Sequence, residues 1–191
     1  GFIAVADVFI PVYLGEGFEK SAELMKIFAP IIVIVGMANI VGVSFLIPIN
    51  KQNVYLVSVV AAAVVNLCLN FILIPEFYSV GAAISSVLAE FISICIQFIY
   101  IFKKKLLNAK NVFLPATKYA IAGIIMFAAI YLLKTFLPIN VYALLLLIAA
   151  GVIIYFAVLL LLRDEFLLDF IKKFFSAMKT RLRHSGHENQ E

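Results

Sequence analysis

The sequence predicts an all-α membrane protein, in which a bundle of helices crosses a lipid bilayer several times. Hydrophobic residues make up 65% of the 191-residue chain, and its mean hydropathy is +1.12. Soluble domains are only about half apolar, so a soluble core could not hold this fraction. Charged residues make up 14% of the chain, and most of them stand between or after apolar runs.

The chain opens at Gly1 within an apolar run, without an initiator Met or the basic start of a signal peptide. We therefore expect the C-terminal part of a longer protein, with residues 1–14 as the second half of a cut helix. An acidic loop follows and runs to Glu23. About 20 apolar residues are needed to cross a bilayer. Five runs reach that length, at residues 27–49, 54–74, 80–102, 115–137 and 141–162.

The spans predict three parts. Residues 1–102 hold the cut helix and three full spans, residues 103–114 form a cytoplasmic linker, and residues 115–162 form a terminal helix pair. After them the chain turns basic, while apolar side chains recur along one side. This one-sided pattern predicts an amphipathic helix over residues 163–183 that lies in the headgroup plane. We expect residues 184–191 to form a disordered tail.

The basic residues predict the orientation of the spans. If the C-terminal tail is cytoplasmic, that side holds twelve of the fifteen Lys and Arg, and the other side holds only Lys20, Lys26 and Lys134. Cytoplasmic loops of membrane proteins carry an excess of Lys and Arg. We therefore predict a multi-pass protein of the cell inner (plasma) membrane with a cytoplasmic C-terminus. The twelve are Lys51, Lys103, Lys104, Lys105, Lys110, Lys118, Arg163, Lys172, Lys173, Lys179, Arg181 and Arg183.

Two stripes of polar residues lie at membrane depth in neighbouring spans. One contains Asn66 and Asn70, and the other repeats at helical steps as Ser86, Glu90, Ser93 and Gln97. Because only the five-residue turn 75–79 joins these spans, they must be antiparallel neighbours. An ionised carboxylate at the centre of a span costs about 2.5–3.5 kcal/mol on insertion scales. We therefore predict that both stripes line a transport pathway, with Glu90 as its functional charge.

Further polar residues extend this prediction. Asp7 and Asn39 are included in the pathway, and Asn39 stands in a small-residue strip with Gly36 and Gly42. A lipid headgroup contact is predicted at the cytoplasmic mouth, at Lys51, Lys103, Lys104 and Lys105. Plainer alternatives stay open. They are a protonated Glu90 bonded to a neighbouring helix, amides that only hold helices together, and lysines that only reflect the charge bias.

The same composition argues against other classes of protein. No basic patch with interleaved aromatic residues accompanies the net charge of +4, so no nucleic-acid partner is predicted. Cys68 and Cys95 lie inside apolar runs and predict neither a disulfide framework nor a zinc site. No nucleophile–base set, metal-ligand spacing or phosphate-binding loop occurs. We expect no enzyme activity, no metal and no cofactor.

Three local patterns within residues 1–102 belong together. They are Ile10-Pro11…Leu14-Gly15 followed by Ser21-Ala22 and Ile27…Pro30; Gly36…Asn39…Gly42 leading to Pro48 and Lys51; and Asn66…Asn70…Ile74-Pro75 followed by Gly81-Ala82-Ala83-Ile84. Together they resemble the oligosaccharide flippases of the multidrug/oligosaccharidyl-lipid/polysaccharide exporter superfamily. One position departs from the family pattern, because Gly usually stands three residues after the Pro, where this chain has Tyr78.

The resemblance implies a two-lobed transporter with six helices per lobe around a central cavity. Spans 54–74 and 80–102 would end the second lobe, and 115–162 would be the additional pair of fourteen-helix members. The N-terminal lobe of the same protein is then a partner that lies outside this chain. The implied function is the flipping of a polyprenyl-linked oligosaccharide by alternating access for cell-surface polysaccharide biosynthesis, with a proton or sodium as the candidate coupling cation.

Two alternatives to this function are kept. One is another activity of the same superfamily, either cation-coupled multidrug export or flipping of a peptidoglycan precursor. The other is a non-transporting membrane scaffold of a glycan assembly complex. Aligned rows of Asn and Glu favour a transporter, because a scaffold has no need for them.

Overall fold

The structure is a computed structural model that describes residues 1–164, 167–170 and 173. Its described part contains helices and no β-strand, which confirms the predicted all-α bundle. A π-helical segment, Gly42–Leu46, extends α2, and a 3₁₀ turn, Lys134–Phe136, extends α4. The helices are α1 (Phe2–Leu14), α2 (Glu19–Val41), α3 (Gln52–Lys103), α4 (Ala109–Leu133) and α5 (Val141–Leu161).

Four helical segments are long and apolar enough to cross a membrane, judged by length and composition in the described residues. They are Glu19–Leu46, Gln52–Lys103, Val112–Phe136 and Val141–Leu161. The second of these folds back on itself, and each of its two arms is longer than the ~20 residues that a crossing needs. The chain is therefore a membrane helix bundle, with α1 as a shorter apolar helix beside the spans.

The fold-back of α3 takes place at one residue, Tyr78. Its dihedrals (φ 50°, ψ −126°) are non-helical, and the first arm (52–77) and second arm (79–103) are helical on either side. The turn is therefore sharper than the predicted five residues, and Pro75 lies inside the first arm rather than at its end. Gly81 makes this possible, because a Cβ at Gly81 would overlap the backbone carbonyl of Leu73 in the opposite arm.

Two other helices begin earlier than predicted. α2 starts at Glu19, within the expected acidic loop, and runs through Pro30. Proline removes one backbone hydrogen bond from a helix interior, and packing of α2 against both α1 and α3 maintains the helix across that gap. α4 starts at Ala109, because the Asn108 side chain accepts a hydrogen bond from Lys110 N (3.1 Å) and caps the helix. The linker is accordingly shorter than residues 103–114.

The helices pack side by side, with α2 against α3, α1 against α2, and α4 and α5 paired with each other and against α1. One apolar core joins α1 to α4 and α5 through Val8, Ile130 and Leu147. A second core joins the end of α2 to the end of α3 through Leu46 and Ile101. The second core brings the termini of α2 and α3 to the same end of the bundle.

That end is basic, and we call it the basic end. It carries Lys51, Lys103, Lys104, Lys105, Lys118 and Arg163, and Lys118 Nζ lies 3.5 Å from the Arg163 carbonyl oxygen. Residues 163–164 follow α5, and the buried Asp164 accepts hydrogen bonds from Tyr119 Oη (3.3 Å) and Leu167 N (2.9 Å). The predicted amphipathic helix 163–183 falls largely outside the described residues, and the predicted tail 184–191 falls wholly outside them.

Candidate functional site

Hydrogen bonds between polar side chains join the two arms of α3 at two levels, an upper level nearer Tyr78 and a lower level nearer the basic end. Nearer Tyr78, Asn70 Nδ2 donates to Asn66 Oδ1 (2.8 Å), and Asn66 Nδ2 donates to Ser86 Oγ (3.3 Å). Ser85 Oγ donates to Asn70 Oδ1. The bonds to Ser86 and Ser85 connect the first arm to the start of the second, so the arms are antiparallel neighbours, as the short turn predicts.

The second level lies nearer the basic end. Gln97 Nε2 donates to Ser58 Oγ (3.0 Å), and Ser93 Oγ lies 3.4 Å from the same Ser58 oxygen. Ser58 Oγ in turn donates to the Tyr55 carbonyl oxygen (2.7 Å). All three polar side chains are buried, and Gln97 is 0% exposed. Gln97 Oε1 has no hydrogen-bond partner in the described part of the chain, which is uncommon for a buried polar atom.

A cavity of about 520 Å³ opens between the two arms of α3 and the adjacent α2. Asn66 lines it from the first arm, and Ser86, Glu90 and Ser93 line it from the second. The rest of the lining is small or aliphatic. This volume falls in the range of small-molecule sites, which combine an apolar wall with a few polar groups. The structure thus gathers four members of the two predicted stripes around one space.

Glu90 supplies the carboxylate of this cavity. It is half-buried and lies twelve residues beyond Tyr78, which is about 18 Å along the helix axis at ~1.5 Å per residue. That distance places it near the middle of a ~30 Å hydrocarbon core. Its carboxylate forms no ion pair in the described part of the chain, where both ion pairs involve Asp7. An acid at this depth can accept a hydrogen bond or a proton from whatever enters the cavity.

The remaining predicted pathway residues lie elsewhere. Asn70 is bound within the upper hydrogen-bond level and lines a smaller, mostly apolar pocket with Ile74 and Pro75. Gln97 is buried one turn beyond Ser93, in the lower level. Asn39 is exposed on α2 and lines no part of the cavity. Gly36 is exposed beside Asn39, and a Cβ at Gly36 would have no neighbouring atom within 4 Å. No described helix therefore packs against that part of the small-residue strip.

Asp7 belongs to a separate ionic cluster at the end opposite the basic end. Its carboxylate contacts Lys26 Nζ of α2 (2.5 Å) and Lys134 Nζ after α4 (3.0 Å). Lys134 also stands over the Tyr131 ring, 4.6 Å from its centroid. One carboxylate thus binds two of the three cations that the charge distribution places on the less basic side. This arrangement ties α1, α2 and α4 together at one level.

The four lysines predicted to contact lipid headgroups are all exposed at the basic end. Lys103 ends α3, and the backbone turns at Lys105 (φ 52°), where Leu106 N bonds to the Ile101 carbonyl oxygen (3.0 Å). Lys51 follows the π-helical segment, and its N–H bonds to the Leu46 carbonyl oxygen (2.9 Å). The three consecutive lysines therefore surround the terminus of the second arm.

Two residues of the site are not among the predicted pathway residues. Ser58 is the buried acceptor at the centre of the lower level, and in the sequence it stands at four-residue steps with Ala62, Asn66 and Asn70 on one helix face. Ser85 binds Asn70, but it stands beside the chosen Ser86, and period alone does not separate two adjacent serines. In the described part of the chain, no group of three His, Cys, Asp or Glu side chains could hold a metal ion.

The chain matches no protein-family model, no curated protein and no solved structure. A functional inference therefore rests on the shape and chemistry of the site. It is a cavity with polar side chains on part of its wall, inside a bundle of membrane-spanning helices.

Proposed function

We propose that this chain is part of a membrane transporter that flips a polyprenyl-linked oligosaccharide between leaflets by alternating access. The observation that carries the proposal is the cavity beside α3, with the Glu90 carboxylate near the middle of the membrane. Polar groups in a membrane interior mark substrate and ion pathways. Transporters place their binding sites near the midplane, between helices that move relative to one another.

The chemistry of the lining suits a sugar. Beyond its bonds to Ser86 and Asn70, the Asn66 amide keeps a second N–H and a second oxygen lone pair, and the Ser86 oxygen can accept one bond more, so a sugar hydroxyl can bind here as donor or acceptor. Glu90 adds an acceptor that can also take up a proton, which links the site to a coupling cation, a proton or sodium. The apolar remainder of the wall suits a substrate whose carrier is a hydrocarbon chain.

The rest of the proposal follows the charge pattern and the resemblance. The protein resides in the cell inner (plasma) membrane with the basic end and the C-terminus in the cytoplasm, as the positive-inside bias favours. The cavity is open on one side of the α3 hairpin, and the N-terminal lobe of the same protein completes it. Lys51 and Lys103 to Lys105 attract the anionic headgroup at the cytoplasmic mouth.

Glu90→Gln tests this function in the complete protein. The amide keeps the size and most of the hydrogen-bonding capacity of the carboxylate but cannot titrate. We expect near-normal protein levels and loss or uncoupling of lipid-linked oligosaccharide translocation, measured as surface glycan in cells. Glu90→Leu should be inserted at least as well, because it removes the cost of a charge at the centre of a span.

Glu76→Gln is the matched control, since Glu76 is exposed near the tip of the same hairpin and outside the cavity. It should translocate normally. Normal translocation by Glu90→Gln would show that the carboxylate only holds helices together. Normal translocation by both Glu90 variants and by Asn66→Leu would favour a membrane scaffold over a transporter.

A further inference from the structure

A second groove runs along the opposite face of the second arm of α3, and its wall is apolar. It has a volume of about 430 Å³ and lies between α2, the second arm and the start of α4. Ile34 and Met37 line it from α2, and Phe113 closes it from α4. Its lining residues on α3 run from Phe91 to Phe102. It shares no residue with the cavity that contains Glu90.

The length of the groove matches half a bilayer. Phe91 and Phe102 are eleven residues apart, or about 16 Å at ~1.5 Å per residue. One leaflet contributes about half of a ~30 Å hydrocarbon core. The groove therefore extends from the basic end to about the middle of the membrane, over the depth that one acyl chain of that leaflet occupies.

Aromatic packing shapes the groove where it meets the basic end. The rings of Phe98 and Phe102 stack at 5.4 Å between centroids, and Phe113 packs against them at 5.7 and 5.9 Å. This cluster joins α4 to α3 and forms one wall. Phe102 is followed directly by Lys103, Lys104 and Lys105, so the hydrocarbon-lined space ends at a group of exposed cations.

The lysines between residues 91 and 163 at this end have no carboxylate within that stretch of sequence to balance them. Five lysines occur between residues 103 and 118, at 103, 104, 105, 110 and 118, and no Asp or Glu occurs between Glu90 and Asp164. Asp164 is 5% exposed and already accepts hydrogen bonds from Tyr119 and Leu167. Residues 165–191 carry four acidic residues (Glu165, Asp169, Glu188 and Glu191) and five basic ones (Lys172, Lys173, Lys179, Arg181 and Arg183), so their net charge of +1 does not neutralise this end. An occupant with an anionic headgroup would complement the charge of this end.

We propose that this groove binds an anionic phospholipid of the leaflet at the basic end, with one acyl chain along Phe91 to Phe102 and the phosphate against Lys103 to Lys105. The groove shares no lining residue with the proposed transport cavity, but Lys103 to Lys105 are the headgroup contact in both proposals. Each lysine near a membrane surface attracts anionic lipid, and a single one accounts for about fivefold enrichment. The apolar wall favours the acyl chain of the phospholipid, and the cations favour its anionic headgroup.

Single-tryptophan variants test this directly, because the chain contains no Trp. Ile99→Trp places the probe on the groove wall at a side chain that is 64% exposed. Phe156→Trp is the matched control on α5, 47% exposed and outside the groove. The two positions precede Lys103 by four residues and Arg163 by seven, so both lie within two turns of the basic end.

Each variant is reconstituted into nanodiscs of phosphatidylcholine that contain a minor fraction of acyl-brominated lipid, either phosphatidylglycerol or phosphatidylcholine. We expect brominated phosphatidylglycerol to quench Ile99→Trp as though enriched about fivefold or more over brominated phosphatidylcholine. Phe156→Trp should show a smaller preference for phosphatidylglycerol, because the cations of the basic end act there without an adjacent groove. Changing Lys103, Lys104 and Lys105 to Gln in the Ile99→Trp chain should lower its preference to that of Phe156→Trp.

Three results would overturn the proposal. Equal quenching of Ile99→Trp by both lipids would remove the specificity for an anionic head. Weak quenching of Ile99→Trp by both lipids, with normal quenching at Phe156→Trp, would show that protein rather than lipid fills the groove. Recovery of Ile99→Trp fluorescence on adding a trace of polyprenyl phosphate would assign the groove to a transport substrate instead.

Discussion

Replacing Tyr78 with Gly should stabilise the protein, although Tyr78 forms the turn on which the α3 hairpin depends. A non-glycine residue at φ 50° and ψ −126° is held in a sparsely populated conformation, which costs about 1–3 kcal/mol. Glycine adopts it without strain, but loses about 0.5–1 kcal/mol more in conformational entropy than alanine. The Tyr78 ring is 75% exposed, so its removal breaks few contacts. We expect a net gain of up to about 2.5 kcal/mol.

The measurement is the free energy of unfolding in mixed micelles, followed by helical circular dichroism as a denaturing detergent is titrated in. Tyr78→Ala is the control, because it removes the same ring but keeps a Cβ at positive φ. It should be no more stable than the parent chain. If Tyr78→Gly and Tyr78→Ala have the same unfolding free energy, the turn stores no backbone strain and the reasoning fails.

Three further predictions concern the hairpin, the ionic cluster and the orientation. Gly81→Ala should cost about 1–3 kcal/mol of unfolding free energy in the same titration, because the new methyl group meets the opposite arm; an unchanged value would contradict the close approach. Asp7→Asn should cost at most about 1 kcal/mol by that assay, since its ion pairs are partly solvated; a larger loss would mean that the cluster is dry. With the native cysteines removed, a membrane-impermeant maleimide should label Ser79→Cys from outside the cell and Asn108→Cys only from inside; the reverse pattern would invert the orientation.

The sequence predicts the periodic features of this protein well. Residues four apart share a helix face, so Asn66 and Asn70 could be assigned to one side before the structure was known. The short connection near Pro75 predicts that the two arms are antiparallel, and the hydrogen bond between Asn66 and Ser86 confirms it. Both inferences use local geometry, which the sequence carries directly.

Features that depend on contacts between distant residues could not be predicted in this way. Lys134 is 127 positions from Asp7, and nothing local indicates that they pair. Asn39 has the same residue type as Asn66, yet it faces away from the hairpin, because the position of α2 relative to α3 decides which of its faces is covered. The early starts of α2 and α4 follow from packing and from the Asn108 cap, which outweigh the local effect of a proline.

The two levels of hydrogen bonds in α3 also bear on how the protein is made. An arm that entered the bilayer alone would bring the Asn66 and Asn70 amides, or the Gln97 amide, into contact with lipid, which offers them no partner. Paired, the arms satisfy most of these groups with each other, through bonds that need no other helix. The hairpin is therefore suited to leave the translocation machinery as a single unit. A nascent chain cut before residue 85 should be retained there longer than one that extends past Gln97.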